Sequence, residues 1–179
     1  IRNCSAAGIL SRNYTINSTN LLVGDCGQYS VALTGGGGYN FNHTTIANYW
    51  NYGVRQTPAF LMTNTYPDIN NNLQVREITT SVFQNSIIYG SNANEFQLEF
   101  DAGLTPDIDF VRMLLRTDQN TSDPGFFPDV NSIIRNQDPQ FRSLADRNFH
   151  LNANSPARGR AQSSTPEAAS DLDGVSRGD

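Results

Sequence analysis

The sequence predicts an all-β solenoid, in which short strands stack coil upon coil. The first indication is a repeated phrase, because Gln84-Asn85-Ser86-Ile87-Ile88 recurs as Val130-Asn131-Ser132-Ile133-Ile134 at an offset of 46 residues. The second is an apolar segment, 110–115, that divides this interval into two parts of plausible coil length. The third is an upstream step of 24 residues from Leu22 to Ile46. A short apolar strand that returns at such spacings indicates stacked supersecondary units.

The repeats also predict which side chains form the interior. One apolar residue of each coil should stack on its counterpart in the next coil, since the coils bury their apolar positions against one another. The residues predicted to form this column are Leu22, Ile46, Ile87, Leu114 and Ile133.

Individual strand signals are short and lie between turn-forming residues. Residues 95–100 alternate strictly between polar and apolar, which predicts a strand with its three apolar residues on one face and the carboxylates of Glu95 and Glu99 in solvent. The glycine run 35–38 lacks the Lys of a phosphate-binding loop and predicts a flexible coil corner.

Asparagine is frequent, with 21 in the chain. In stacked parallel strands its amide can form hydrogen-bonded ladders, and asparagine tolerates the left-handed backbone that tight corners require. We therefore predict structural roles for the asparagines that adjoin apolar strand segments, namely Asn17, Asn20, Asn48, Asn85 and Asn131.

Composition excludes several classes of function. The 179 residues are enough for one domain with a sizeable core, and no apolar run reaches the roughly 18 residues of a membrane-spanning helix. All twelve basic residues are Arg, they are scattered, and the net charge is −5, which argues against nucleic acid as a partner. The absence of Lys excludes Schiff-base chemistry and a lysine general base.

The two cysteines, Cys4 and Cys26, lie 22 residues apart, which is about one coil. They could therefore face each other on adjacent coils. A disulfide in an oxidising compartment would stabilise the fold by about 2–4 kcal/mol. The alternative is a pair of buried small apolar side chains. Neither interpretation supports a metal site, which needs more ligands.

The C-terminal part carries an ordered series of short motifs. They are Asp138-Pro139-Gln140-Phe141, Asn148-Phe149-His150-Leu151, Ser155-Pro156-Ala157, Asp171-Leu172-Asp173-Gly174 and Arg177. This series resembles the C-terminal end of secreted bacterial right-handed parallel β-helix proteins, the pectate-lyase-like proteins of choice-of-anchor Q type. Residues 44–50 and 85–90 are similar to the final coils of that family.

The resemblance implies a right-handed parallel β-helix with coils over residues 1–137 and a cap over residues 138–179 of the same domain. It also implies an exported bacterial protein, located outside the cell or at its surface. The closing strand usual in that family does not follow Arg177 and the chain begins within a coil, so we expect a C-terminal fragment of a larger protein. Its first coil should expose Ile9 and Leu10 and favour end-to-end self-association.

The richest aromatic cluster lies just after the segment 44–48 and contains the only Trp. Aromatic faces stack on sugar rings, so the cluster could recognise a polysaccharide or a cell-surface glycan. The alternative is that these rings cover the end of a strand. The candidate carbohydrate-binding residues are Tyr49, Trp50, Tyr52 and Arg55.

Two groups of carboxylates could serve a metal ion. Asp101, Asp107 and Asp109 are candidate calcium ligands, since calcium takes several oxygen ligands and the related pectate lyases use it. Asp171 and Asp173 lack the other ligands of an EF-hand loop, and a turn or a salt bridge of Asp173 with Arg177 is the alternative. No other cofactor is indicated.

No residue is assigned a catalytic role. Related lyases resemble one another in pairing a Lys or Arg base with calcium, and related hydrolases pair aspartates with Gly-His-Gly. Neither His43 nor His150 is flanked by Gly. The leading hypothesis is a non-catalytic extracellular or cell-surface module, either a scaffold or a carbohydrate-recognition unit. The alternative is the tail of a polysaccharide lyase or glycoside hydrolase whose active site lies in coils absent from this chain.

Overall fold

The computed structural model describes residues 1–162 and 166–177. This part of the chain contains fourteen β-strands, two 3-10 turns at Val130–Ser132 and Pro166–Ala168, and no α-helix. The strands are β1 (Arg2–Cys4), β2 (Ile9–Thr19), β3 (Leu22–Cys26), β4 (Val31–Asn42), β5 (Thr45–Asn48), β6 (Phe60–Thr63), β7 (Thr65–Pro67), β8 (Leu73–Val75), β9 (Ser81–Gly90), β10 (Phe96–Glu99), β11 (Ile108–Leu115), β12 (Ile134–Arg135), β13 (Phe141–Ser143) and β14 (Asn148–Leu151). The predicted all-β class is confirmed.

Ten of these strands form one large sheet in which every pairing is parallel. Its pairings fall into three ladders. The first ladder joins β1, β3, β5, the second half of β9, the end of β11 and β12. The second joins the ends of β2 and β4 to the first halves of β9 and β11, and the third joins the starts of β2 and β4 to β6 and β10. The long strands β2, β4, β9 and β11 therefore bend and link neighbouring ladders.

Side chains of like kind stack along these ladders and form the core. Phe41, Phe83 and Phe110 lie in register in the second ladder, with ring centroids 5.2 and 4.9 Å apart and nearly parallel planes. Phe60 stacks on Phe96 in the third ladder at 5.4 Å. Because stacked rings fill the space between rungs, these aromatic residues make up much of the buried volume.

The aliphatic column of the first ladder differs from the predicted one by one residue on most rungs. Its buried members are Val23, Ile46, Ile88 and Leu115, which lie opposite one another. Of the residues predicted to form one column, only Ile46 belongs to it. Ile133 does pack partly against the main core.

The neighbouring residues Ile87 and Leu114 lie on the other face of the same strands. They belong to a second apolar cluster, together with Ala47, Tyr89 and Phe141. Both faces of the first ladder are therefore buried, one by the main core and the other by the C-terminal part of the chain. Strands buried on both faces read as continuous apolar runs, and this is why the repeats indicate strands correctly but not which residue points inward.

One corner of the structure is turned by a column of residues in the left-handed backbone region. Asn20, His43, Asn85 and Arg112 have φ angles of 56°, 52°, 53° and 55°. The registers of β2 with β4, β4 with β9 and β9 with β11 place them side by side, and we call them the corner column. Asparagine adopts this conformation more readily than most residues, which agrees with the role predicted for Asn20 and Asn85.

The serines of the repeated Asn-Ser phrase accept hydrogen bonds from backbone N–H groups at this corner. The Ser86 hydroxyl accepts a hydrogen bond from the backbone N–H of Thr44 at 2.9 Å, and the Ser132 hydroxyl accepts one from the backbone N–H of Arg112 at 3.0 Å. A bend in the ladder frees such N–H groups, and a buried N–H without a partner costs free energy. The serines therefore stabilise the corner.

The glycine run 35–38 lies within β4, between the part that pairs in the third ladder and the part that pairs in the second, and so forms a corner as predicted. A Cβ at Gly35 would come within 2.4 Å of the Tyr66 ring, and one at Gly36 within 2.4 Å of the Glu77 carbonyl oxygen. The antiparallel hairpin of β7 and β8 thus packs closely on this stretch. Positive φ angles at Gly35, Gly36 and Gly37 make glycine the residue that fits there.

The described residues 138–162 and 166–177 lie on the side of the outer face of the first ladder, after the last parallel strand has ended at Arg135. The antiparallel pair of β13 and β14 begins it. Arg147 forms an ion pair with the buried Asp25 at 2.7 Å, and the Asn20 side chain donates to the Ser170 carbonyl oxygen at 2.7 Å. These contacts fix the segment to the sheet.

The first rung presents an open strand edge. β2 pairs with β4 on one side, and none of the described strands pairs with its other side. Leu10 on this strand is 67% exposed and Ile9 is partly buried. The exposure of Leu10 agrees with expectation, and self-association through this edge stays a prediction.

Candidate functional site

The aromatic residues after β5 separate into an inner and an outer set. The ring of Tyr49 lies inside, stacked on Phe149 at 6.3 Å and edge-on to Phe141 at 6.4 Å. Burial, followed by the nearby carboxylate of Asp138, raises the pKa of Tyr49 well above its ordinary value. Tyr49 is therefore partly buried, and its ring anchors the C-terminal segment to the sheet.

Trp50 and Tyr52 form the outer set. Their ring centroids are 4.9 Å apart and their planes meet at 60°. Trp50 is partly buried over Gly27, where an added Cβ would lie 3.3 Å from the indole Cε2, whereas Tyr52 is 73% exposed. The two rings thus form an angled aromatic surface, which we call the aromatic pair.

The loop that carries the aromatic pair is held from below by Arg55. Its guanidinium forms an ion pair with Glu95, in which the two side chains are 1% and 0% exposed. Nη1 donates to Glu95 Oε2 at 2.8 Å, and Nη2 donates to the Asn48 carbonyl oxygen at 3.2 Å. Arg55 therefore joins the start of the loop to the start of β10, and its charge is not available to a ligand on the surface.

Glu95 and Asn92 complete this network. The backbone N–H groups of Asn92 and Ala59 donate to the Glu95 carboxylate at 2.7 and 2.9 Å, and the Asn92 amide donates to the carbonyl oxygens of Arg55 and Thr57. Burial raises the pKa of the Glu95 carboxyl, while the hydrogen bonds and charge of Arg55 oppose that rise. The alternation in 95–100 predicted the Glu95 carboxylate in solvent, and this prediction is wrong. Glu95 is buried because it pairs with a cation 40 residues away.

The Asn48 side chain fixes the start of the loop to the neighbouring strand β3. Its Oδ1 accepts from the Cys26 backbone N–H at 3.1 Å, and its Nδ2 donates to the Cys26 carbonyl oxygen at 3.0 Å. A side-chain amide thereby continues the parallel ladder where β5 ends. The structural role predicted for Asn48 is found, although its amide bonds the backbone of Cys26 and not a stacked asparagine.

The three candidate calcium ligands do not share a contact. Asp101 accepts from the Gly103 N–H at 2.9 Å, Asp107 accepts from the Thr80 hydroxyl at 2.6 Å, and Asp109 is exposed on β11. Among the described residues, no group of three or more His, Cys, Asp or Glu side chains is placed to hold a metal ion. The structure therefore does not assemble these carboxylates into a site.

The second acidic pair makes a turn. Asp171 Oδ1 accepts from the backbone N–H groups of Asp173 and Val175 at 2.9 Å each, and these bonds lower the pKa of the Asp171 carboxyl. An Asp173 carboxylate oxygen lies 3.0 Å from His150 Nε2, whereas Arg177 donates to Asn20. The turn role is found, but the Asp173 partner differs from the predicted Arg177.

Cys4 and Cys26 lie directly opposite each other on the parallel strands β1 and β3. Both thiols are free, Cys26 is buried, and Cys4 packs partly against the same core. Burial is the main cause that raises the pKa of the Cys26 thiol. The expected position on adjacent rungs is found.

The aromatic pair offers apolar contact area above the buried Arg55–Glu95 ion pair. An exposed ring beside a half-buried one offers apolar surface, and the buried ion pair below fixes its geometry before any ligand arrives. The sequence pattern located the aromatic residues, but not the Arg55–Glu95 pair that positions them.

No helix of the described residues has the length and apolar character needed to cross a membrane. Comparison with protein-family models, with curated proteins and with solved structures gave no match.

Proposed function

We propose that the chain is the C-terminal part of a right-handed parallel β-helix, exported by a bacterium, that recognises carbohydrate without catalysing its cleavage. The motifs that end in Asp171-Leu172-Asp173-Gly174 and Arg177 support the assignment to the pectate-lyase-like proteins of choice-of-anchor Q type. An extracellular or cell-surface location goes with that assignment.

The three ladders support the β-helix. Each rung of the first ladder is followed along the chain by strands of the other ladders before the chain returns to the next rung, as from Ile46 through β6 to Ile88. Bent strands and a corner column link the ladders, as they do where a chain winds around a core. Crossover connections between parallel strands are right-handed in nearly all proteins, which favours the right-handed form.

The aromatic pair is the observation that carries the recognition function. Trp50 and Tyr52 present ring surface to solvent on a loop whose base is tied by the buried Arg55–Glu95 ion pair. Exposed aromatic side chains on a preorganised loop favour ligand binding, because little conformational entropy is lost when the ligand arrives. Sugar rings have apolar faces that match such a surface.

The assignment of a non-catalytic role rests on the residues that acid–base chemistry on polysaccharides would need. The chain has no Lys to act as a base. Asp107 and Asp109 are an acid pair at the start of β11, and Asp107 accepts a hydrogen bond from the Thr80 hydroxyl. We expect neither unsaturated product nor new reducing ends when the purified chain is incubated with polygalacturonate, with or without calcium.

Trp50 is the only tryptophan, so its fluorescence reports directly on the proposed site. We expect neutral oligosaccharides from a panel of bacterial and plant glycans to shift or quench this emission in a saturable manner. Tyr52→Ala should weaken binding at least fivefold, since it removes one of the two rings.

Tyr14→Ala is the matched control, because Tyr14 is also exposed, at 71%, but lies on β2. It should bind as the unchanged chain does. A panel that leaves the Trp50 emission unchanged, or equal binding by the Tyr52→Ala variant, would contradict the proposed recognition site.

A further inference from the structure

A groove runs between the corner column and the C-terminal segment. It consists of two adjoining cavities of about 530 and 600 Å³. They share wall residues, among them His43, Thr45, Phe149 and Arg177, and so form one continuous space. Trp50 and Tyr52 do not line either cavity, and the groove is therefore separate from the aromatic pair.

One part of the groove is rich in unpaired positive charge. Arg112, Arg158, Arg160 and Arg177 line the first cavity. In the described part of the chain, none of these guanidinium groups lies within 4.0 Å of a carboxylate oxygen. The single acid of this wall, Asp171, is occupied by the backbone N–H groups of its own turn.

The second cavity adds polar groups that have partners of their own. Arg147 forms an ion pair with Asp25, His150 Nε2 lies 3.0 Å from an Asp173 carboxylate oxygen, and Asp146 accepts from the Ser143 hydroxyl at 2.8 Å. Of the four arginines only Arg177 also lines this cavity, so the unpaired positive charge is concentrated in the first cavity.

Three buried nitrogen atoms of this wall have no hydrogen-bond partner among the described residues. They are Arg112 Nε, Arg177 Nε and His43 Nε2. The other bonds of the two arginines orient them, since Arg112 Nη1 donates to the Arg160 carbonyl oxygen and Arg177 Nη2 donates to Asn20 Oδ1. Buried donors in native proteins are almost always satisfied, so unpaired ones beside a cavity indicate a place for an acceptor.

His43 takes part without adding charge. Burial, and then the charge of Arg177, lower the pKa of His43 to about 4, so the imidazole is neutral at pH 7. The guanidinium groups of the partly buried Arg112 and Arg177 therefore supply the positive charge, and the imidazole supplies a polar ring nitrogen beside them.

Another part of the cavity lining is apolar, and we call it the apolar wall. It is formed by Ile87, Leu114, Ile134, Phe149 and Leu151, which belong to the second apolar cluster or pack against it. A ligand that fills the cavity therefore meets both cations and hydrocarbon. Cavities of this size suit a small organic molecule better than a bare inorganic ion.

We propose that this groove binds an oxyanion carried on a sugar ring, with Arg112, Arg158 and Arg177 facing the anionic group and Phe149 and Leu151 facing the ring. The shared chemistry of a carboxylate and a sulfate ester is an acceptor group that accepts several N–H bonds. The site adds to the proposed recognition function but does not depend on it, because it uses other residues.

Isothermal titration with four probes tests the proposal: glucuronate, glucose 6-sulfate, glucose and inorganic sulfate. We expect the two anionic sugars to bind, the weaker of them at millimolar concentration, and glucose not to bind. Inorganic sulfate should bind at least tenfold more weakly than glucose 6-sulfate, because it leaves the apolar wall uncovered.

Variants connect binding to the groove. Arg112→Gln and Arg158→Gln should each weaken binding of the anionic sugars at least tenfold. The exposed Arg158 side chain makes no hydrogen bond in the described structure, so we expect Arg158→Gln to fold as the unchanged chain does. Arg142→Gln, an exposed arginine outside the groove, should bind as the unchanged chain does. Thermal unfolding of each variant checks that it is folded.

Three results would overturn the proposal. These are binding of glucose as tight as that of glucuronate, equal affinity for inorganic sulfate and glucose 6-sulfate, and binding by Arg158→Gln that matches the unchanged chain. Trp50→Ala distinguishes this site from the aromatic pair, since it should abolish binding of neutral oligosaccharides and leave binding of glucuronate as it was.

Discussion

Arg55 and Glu95 lie 40 residues apart in the chain and form an ion pair that is almost wholly excluded from solvent. Arg55 also donates to the Asn48 carbonyl oxygen, and Glu95 accepts from the Ala59 backbone N–H, so the pair joins the loop after β5 to the start of β10. A buried pair of this kind stabilises little in itself, because desolvation offsets the attraction of the charges, but removal of one partner leaves the other charge uncompensated.

We therefore expect Glu95→Gln to lower the free energy of unfolding by about 3–5 kcal/mol, although the side chain keeps its size. Denaturation with urea measures the loss. Glu99→Gln is the control, since Glu99 is exposed on the same strand, and it should change the free energy of unfolding by less than about 0.5 kcal/mol. Similar values for the two variants would show that the buried pair is not formed in solution.

Substitutions at Ile87 and Ile88 should have different effects, although the residues are adjacent. Ile88→Asp places a charge in the main core and should prevent stable folding, whereas Ile87→Asp places it under the C-terminal segment. The Ile87 variant should keep the parallel ladders and lose amide protection in β13 and β14. Hydrogen exchange read out by mass spectrometry separates the two outcomes, and uniform loss of protection in both variants would contradict the two-sided packing.

Stability should depend on pH through His43. Its pKa is lowered from 6.5 to about 4 in the folded protein, so the unfolded chain binds more protons between these values. The contribution of His43 to the free energy of unfolding is therefore complete above about pH 6.5. The free energy of unfolding should fall by on the order of 2 kcal/mol as the pH drops toward 4.

His43→Asn should flatten this dependence, because asparagine keeps the left-handed backbone and does not titrate. His150→Asn, which changes the other, exposed histidine, should keep it. Urea titrations at several pH values measure the slopes. An unchanged slope in the His43 variant would assign the pH dependence to other groups.

The opposed thiols of Cys4 and Cys26 should form a disulfide under oxidising conditions. Directly paired residues on parallel strands are close to the Cα separation that a disulfide needs. The bond would close a loop of about 20 residues and raise the free energy of unfolding by about 3 kcal/mol. Thiol titration and intact mass follow the reaction, with Cys4→Ser as the control. Two thiols that remain reactive only after unfolding would favour the alternative of buried reduced cysteines.

Much of the fold could be predicted from the sequence because a stacked structure repeats its local chemistry. The Asn85-Ser86 phrase marks a real corner, with the left-handed backbone at Asn85 and a hydroxyl acceptor at Ser86. The inward-facing residue could not be predicted, since both Ile87 and Ile88 are buried, one on each face. Alternation indicates an inner face only where the other face meets water.

The candidate site was predicted only in part. Trp50 and Tyr52 stand out as aromatic residues in a short loop, but the partner of Arg55 lies far along the chain and no local pattern points to Glu95. The groove was missed for the same reason, because it forms only when Arg177 and Phe149 fold back beside Arg112 and His43.

The length of chain between consecutive rungs of the first ladder is unequal. Val23 and Ile46 lie on consecutive rungs after a short return, whereas Ile46 and Ile88 do so after an excursion that includes the β7–β8 hairpin. The stacked side chains and the corner column set the register of the strands. The free energy of closing a loop between two strands grows only slowly with the length of the loop. Insertions and deletions in the excursions can therefore accumulate with little effect on the stack, so that lineages can exchange surface loops, and with them binding preferences, on an unaltered frame.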